Sequence, residues 1–395
     1  MDTPPLSGPL AGVRVVEMSH MVMGPTCGMV LSSLGAEVIK VEPFEGDRTR
    51  TLGGMGISFF PLFNRGKKSV SLDLKSPEGR EAMDRLLATA DVFIENFRDD
   101  TISALGLDAP TLAKKYPKLI VGAHKGFLSG PYEHRPALDE VVQMMAGLAY
   151  MTGSRERPLR VGSSINDIMG GMFGAIGVLA ALLQRNQTGE GEEIRVGLFE
   201  NCLFSVAQHM VQFQQTGVAA PPMSGRVHAW PVYDIFDTGD GKRLFVAATT
   251  HGHWKALCEA FELQDLLTHP RLTTTTERIE ARDWVLPLIA ARFARVPMAE
   301  LETRLEALGL PFARINAPEE MFDDPHAARG LIDLIDVDGR RHRTPSLPLE
   351  IDGVRPSPGL AAPQLGEHTE ALLRELGYSD AEIASRSRPA LRAAE

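Results

Sequence analysis

The first half of this sequence alternates strand-like and helix-like segments, and that alternation limits the possible folds more than any other feature. Val13-Arg14-Val15-Val16 reads as a buried strand. A Gly24-Pro25 turn follows, then a helix of small residues to about Leu34, and Glu37 to Val41 reads as a second strand. Such a βαβ rhythm predicts a parallel sheet with helices on its faces. It continues as strand 70–74, helix 77–90, strand 91–96, a helix near 112–116 and strand 118–122. Pro77 suits an early helical position, where its missing N–H costs nothing. Further helices are expected at 140–152 and 167–185. The turn Thr188-Gly189-Glu190-Gly191 then leads to a strand at 193–197 and a helix at 199–214.

Near residue 220 the rhythm changes. Ala219-Ala220-Pro221-Pro222 opens a linker-like stretch. Segments 233–237 and 243–247 flank Thr238-Gly239-Asp240-Gly241, a hairpin signal. Helical patterns follow at 253–261, 277–294 and 299–308, so this stretch reads as a smaller α+β domain. A second hairpin is expected at 332–337 and 341–344, then helices at 367–376 and 379–384. The tail after Arg386 reads as frayed.

Charge excludes some functions. Lys plus Arg number 41 and Asp plus Glu 51, a net charge of −10. A general nucleic-acid or anionic-membrane binder needs a basic surface. A small anionic ligand held by a few local cations stays possible. Cys27, Cys202 and Cys258 are far apart and form neither a CxxC pair nor a zinc pattern, so free thiols and a reducing, cytoplasmic location are expected. The first residues show no basic region before an apolar run, so no signal peptide is read. The apolar run 168–184 is short for a membrane span. It contains Gly170, Gly171, Gly174 and Gly177, which points to a buried helix packed closely on its neighbours.

Several chemistries can be weighed from the residues. The loop Ser19-His20-Met21-Val22-Met23-Gly24-Pro25 sits where a dinucleotide fold would bind phosphate, but GxGxxG is absent, which argues against a nicotinamide or flavin enzyme. Cations cluster in Asn64-Arg65-Gly66-Lys67-Lys68-Ser69 and near Lys75, with Arg98 in a second group. Such a cluster is either a solvated loop or a phosphate site beside an aromatic side chain. The histidines show no metal spacing, and no GxSxG elbow supports a serine hydrolase. Asp167, just before the long apolar helix, is either a helix cap or a nucleophile. The positive helix end favours its ionised form, and an accessible carboxylate can attack an activated acyl group. Asp139 and Glu140 are competing carboxylates that read as a helix start.

On these residues, and on Leu34-Gly35-Ala36-Glu37, Leu72-Asp73-Leu74-Lys75, Glu95-Asn96-Phe97-Arg98, Gly130-Pro131 and Leu365-Gly366-Glu367-His368-Thr369, the chain resembles the class III CoA-transferase family, also called CaiB/BaiF or formyl-CoA transferase-like. The resemblance implies an α/β fold: a Rossmann-like, doubly wound large domain built from both chain ends, a smaller inserted α+β domain, and an interlocked homodimer. It corresponds to 1–220 as the first part of the large domain, 226–330 as the small domain and 331–395 as the return to the large one. It implies a CoA-transferase with coenzyme A or acyl-CoA as substrate, a small carboxylic acid as the second partner, and no tightly bound cofactor or metal. Asp167 falls on the family's nucleophile. Val22, Met23, Leu72, Lys75, Asn96 and Phe97 match positions that contact CoA. Arg98 extends the second cation group. Ala104 and Pro43 stand where relatives often carry cations, which makes Arg48, Arg50 and Arg135 candidates for the phosphates. The family also holds α-methylacyl-CoA racemases, but their proton-carrying histidine falls here at Leu138. A CoA-binding protein without catalysis is the reading from another class. Val22 in place of a polar loop residue, and a single glycine in Ala248-Thr249-Thr250-His251-Gly252, argue against the formyl-CoA/oxalate branch; the resemblance implies an acyl-CoA such as succinyl-CoA as donor and a small organic acid as acceptor.

Overall fold

The computed structural model describes residues 8–225, 229–357, 359 and 361–386. The tail expected to fray lies outside this range. Six strands form one parallel sheet: β1 (Arg14–Met18), β2 (Glu37–Glu42), β3 (Lys68–Ser71), β4 (Val92–Glu95), β5 (Ile120–Lys125) and β6 (Glu193–Gly197). Their order is β3-β2-β1-β4-β5-β6, the order of a doubly wound sheet. Strands of a sheet covered on both faces carry near-continuous apolar runs. Accordingly Val15 and Val16, neighbours that point to opposite faces, are both fully buried, as are Val92, Phe93 and Ile94.

One face of the sheet buries Val16, Ile39, Val70 and Phe93 against Met83 and Leu86 of the Pro77–Leu87 helix. Leu372 and Leu373 of the Thr369–Glu375 helix join that same cluster, so a late segment completes a core begun by the first hundred residues. The other face buries Val15, Val38 and Ile120 against the helices Met23–Ser33 and Ile165–Thr188. The glycines of the second helix let these elements approach closely. A Cβ on Gly171 would lie 2.6 Å from the Met23 carbonyl oxygen, and one on Gly174 2.2 Å from His124 Nε2. Only this side of the helix is buried, however: Met172, Ile176 and Leu183 are 45%, 57% and 68% exposed. The helix is long and apolar enough to cross a membrane by length and composition.

Some boundaries differ from the sequence reading. The first helix includes Gly24 and Pro25, because a proline in the first helical turn gives up no intrahelical bond. The segment expected as one helix at 140–152 is two, Asp139–Met145 and Leu148–Thr152, separated where Gly147 adopts φ +87°.

The chain forms two compact units, one of residues up to Ser224 and from Pro325 onward, the other of Gly225–Asp324. In the second unit β7 (Val232–Asp237), β8 (Arg243–Ala248) and β9 (Phe312–Arg314) are antiparallel in that order. Their apolar side packs on Trp254, Ile289, Phe293 and Leu301 from its helices. The hairpin of β10 (Leu331–Ile335) and β11 (Arg341–Pro345) belongs to the first unit.

Candidate active site

In an open α/β sheet, ligands bind outside the carboxyl ends of the strands, where the strand order reverses. Here the reversal lies between β1 and β4, and a cavity of about 1170 Å³ opens there. Its walls come from the segments that leave the strands: Ser19 and His20 after β1, Arg48 after β2, Leu72 and Lys75 after β3, and Asn96, Phe97 and Arg98 after β4. Asn96 ties the two edges of the crevice together. Its Oδ1 accepts from the His20 N–H (3.0 Å) and its Nδ2 donates to the His20 carbonyl (2.7 Å). The His20 and Phe97 rings lie 5.1 Å apart at the cavity wall. Arg48, Lys75, Arg98 and Arg135 all line the cavity and are exposed. Arg98 has a 3.6 Å contact to Asp100, and Arg135 lies over the Tyr132 ring. Lys125, also at the wall, is committed to Glu95 and Asp99, each at 2.8 Å.

The β1 loop at the cavity's edge is clamped from below by buried ions. Lys67 binds Glu17 at 2.7 Å and donates to the Pro25 carbonyl and Asn64. Lys40 binds Asp47 at 2.9 Å and donates to the Ser19 carbonyl. Burial pushes the Lys67 ammonium down to about 8, with Glu17 opposing. Between the two clamps Met21 holds a left-handed φ of +63°, a strained conformation for a residue with a side chain. The cation cluster 64–69 is therefore neither a solvated loop nor a phosphate site. Lys67 is buried on Glu17, Lys68 pairs with Glu37, and Arg65 is buried with its guanidinium on the Leu62 carbonyl.

Asp167 is the third residue of the Ile165–Thr188 helix, where the sequence reading placed it at the start. Ser164 precedes the helix without capping it by its side chain. The cap is Asp139, whose Oδ2 accepts from the backbone N–H of both Asn166 and Asp167 at 3.0 Å. Burial pushes the Asp167 carboxyl up to about 7, the charge of Asp139 adds to the rise, and Arg160 opposes it. Asp167 is thus a partly buried carboxyl at the positive end of a long helix, close to titrating at neutral pH.

A family model for CoA-transferase family III matches residues 10–369. The chain belongs to this family. Among curated members it is 34% identical to a succinate–glutarate CoA-transferase of Agrobacterium fabrum, over 95% of this chain and 97% of that one. It is 31% identical to a succinyl-CoA–D-citramalate CoA-transferase of Chloroflexus aurantiacus, over 95% and 96%. A solved structure of a CaiB/BaiF family protein from Brucella suis superposes with a TM-score of 0.83 at 31% identity, covering 93% of this chain and 99% of that one.

In this family III member, Leu72, Lys75, Asn96, Phe97, Arg98 and Arg135 line one cavity. Val22 and Met23 do not line it. Both are buried, and the Met23 side chain lies against Gly170, one turn beyond Asp167. Asp167 is also outside the cavity wall, but Leu138, which lines the wall, adjoins the Asp139 that holds its backbone. Of the proposed phosphate cations, Arg48 faces the cavity. Arg50 is held by the Glu42 carboxylate and the Pro363 carbonyl and stacks on Phe60. The sequence reading missed the cap by Asp139 and its partner Gln143. Their spacing of four residues on one helix face was the available signal. Among the described residues no cluster of His, Cys, Asp and Glu could hold a metal.

Proposed function

We propose that this protein transfers CoA from an acyl-CoA to a free carboxylic acid, with Asp167 as the covalent nucleophile. One observation carries the reading: a partly buried carboxyl on the first turn of a 24-residue helix, beside a cavity bearing four exposed cations. Lys75, Arg98, Arg48 and Arg135 would take the phosphates of CoA, with Phe97 and Leu72 against its apolar parts.

An Asp167 oxygen attacks the thioester carbon, and the C–S bond breaks to release CoA thiolate and leave a mixed aspartyl anhydride. The thiolate then attacks the aspartyl carbonyl, freeing the donor acid and leaving an aspartyl-CoA thioester. The acceptor carboxylate attacks that thioester, and the released thiolate finally attacks the acceptor's acyl carbon, restoring Asp167. Every step passes on an activated acyl group, so no ATP is consumed. The ionised form of Asp167 is the reactive one, so activity should rise with pH through about 7.

For substrates we propose succinyl-CoA as donor and a small dicarboxylic acid as acceptor, in keeping with the two relatives named above. The same helix exposes Met172, Ile176 and Leu183, and the Leu198–Thr216 helix exposes Phe204, Met210 and Phe213. These side chains lie on two adjoining helices, whose Phe173 and Phe204 rings are 5.6 Å apart, and their exposure supports the interlocked homodimer.

The test is chemical trapping. Protein turning over succinyl-CoA is treated with hydroxylamine, digested and mapped by mass spectrometry, with glutarate, mesaconate and oxalate compared as acceptors. Modification is expected at Asp167. Modification elsewhere, or none, refutes the mechanism. Solvent deuterium appearing at the acyl α-carbon without transfer would instead indicate a racemase.

A further inference from the structure

The first turn of the Asp167 helix is gripped from two sides by a buried polar network that the proposed chemistry does not itself require. A helix start leaves its first N–H groups without intrahelical partners. Here they are met by a carboxylate from a different helix: Asp139, at 7% exposure, accepts from Asn166 and Asp167 on Oδ2. Its Oδ1 accepts from Gln143 Nε2, and Gln143 Oε1 in turn accepts from the Val161 N–H at 2.9 Å. Gln143 is fully buried. On the opposite side Asn166 Nδ2 donates to the Leu198 carbonyl, while Asn201 Nδ2 donates to both oxygens of Asn166 at 2.7 Å.

The chain of bonds has a direction. Both oxygens of residue 139 must accept, one from the backbone and one from Gln143. An asparagine there has one accepting oxygen, which the two helix N–H groups would occupy. Its amide group would meet the Gln143 amide donor to donor, or Gln143 would turn over and aim its own donor at the Val161 N–H. Buried donors facing each other are costly, and the helix start would shift to relieve them. A carboxylate is therefore the side chain of this length that satisfies every member.

We propose that Asp139 is a positioning residue for the transfer reaction, holding the first turn of the helix so that the Asp167 carboxyl stays aimed at the incoming acyl carbon. The inference rests on the reading of Asp167 as nucleophile and adds a role for a residue that touches neither substrate nor reacting atoms. Asp139 also places a second negative charge beside Asp167. The other charged or titratable groups around this turn are Arg160, in the preceding loop and 3.6 Å from Glu140, and the Cys202 thiol, on the Leu198–Thr216 helix and under the influence of Asp139. Asp139 thus acts on Asp167 through geometry and through charge, and the two can be separated.

The experiment compares full-length wild type, Asp139→Asn, the double variant Asp139→Asn/Gln143→Glu, and Asp167→Asn. In the double variant the asparagine at position 139 accepts from the helix and donates to the glutamate at position 143, which still accepts from Val161. Every bond is restored, but the charge sits farther from Asp167. Asp139→Asn is expected to lose kcat by about 10- to 100-fold, the range for outer-shell partners. Its KM for acyl-CoA should stay within about threefold, and the acid limb of its kcat/KM profile should move down by about one pH unit. The double variant should recover kcat to within about threefold of wild type while keeping part of the pH displacement. Wild-type kcat and an unmoved acid limb in Asp139→Asn overturn the inference. If Asp139→Asn does not fold, the double variant decides: a soluble double variant as slow as about one-tenth of wild type overturns it equally. Failure of the underlying reading looks different, because Asp167→Asn would then turn over normally or wild-type trapping would miss Asp167.

Discussion

Replacing Asp167 with asparagine should stabilise the protein in alkaline solution while abolishing transfer. Asp167 ionises at about 7 in the folded chain against an ordinary value of 3.8, with burial the main cause and Asp139 the second. A carboxyl whose folded pKa is raised favours the folded state at low pH. That contribution is whole below the unfolded value, shrinks as the pH climbs from about 4, and is gone once the pH passes the folded value near 7. Three units correspond to about 4 kcal/mol at most, and partial solvent access to the side chain lowers this to about 2–3 kcal/mol. Asparagine cannot ionise and escapes the loss. The stability gap between Asp167→Asn and wild type should therefore widen by about 2 kcal/mol between pH 5 and pH 8.5.

Urea denaturation at pH 5, 6, 7 and 8.5, at one fixed subunit concentration, measures this gap directly. Fixing the concentration removes any contribution from subunit association. A gap that stays constant across the series, or a variant less stable than wild type at pH 8.5, refutes the claim that burial and Asp139 raise this carboxyl. A residue retained at a cost in stability is what a reactive group is expected to be, whereas a simple helix cap should be favourable where it stands.

Arg160 acts to hold Asp167 ionised, so Arg160→Gln should move the acid limb of kcat/KM upward from about 7 by about half a unit or more; a downward move contradicts the assignment. Lys75→Ala and Arg48→Ala should each raise the KM for acyl-CoA by about tenfold and leave the thermal midpoint within about 2 °C, read by initial rates and a melting scan; an unchanged KM in both would place the phosphates elsewhere. Gly171→Ala drives a methyl group into the Met23 carbonyl and Thr26, so it should cost about 1–3 kcal/mol in urea titration. Lys67→Met leaves the Glu17 carboxylate buried with the Ser19 hydroxyl at 2.9 Å and Lys40 at 3.6 Å but without its close ion pair, and should cost about 3–5 kcal/mol. An Lys67→Met protein as stable as wild type would show that the buried ions do not secure the β1 loop.

What could be read from the sequence divides along the range of the forces involved. The sheet was legible because a strand covered on both faces is a near-continuous apolar run, and Val15-Val16 and Val92-Phe93-Ile94 carry that signal locally. The turn residues at Asp240-Gly241 marked the β7–β8 hairpin by their own chemistry. Polar side chains carry no such local signature. Lys67 looks like any exposed loop lysine until the fold brings Glu17, fifty positions away, to within hydrogen-bond distance. The start of the Asp167 helix was misplaced because its cap comes from a residue 28 positions earlier.

The same limit explains why the resemblance was needed to single out Asp167. By spacing alone, an acidic residue on the first turn of a helix is most economically a cap. The fold removes that explanation. The N–H groups that a cap would satisfy, those of Asn166 and Asp167, are already bonded to Asp139. Asp167 is left with a carboxyl that helix formation does not use, that burial and a neighbouring carboxylate hold near neutrality, and that stands one turn from the Gly170–Met23 contact. Once another residue does the capping, the carboxyl at 167 becomes costly to keep, and a costly carboxyl beside a cation-lined cavity is better explained by chemistry than by architecture.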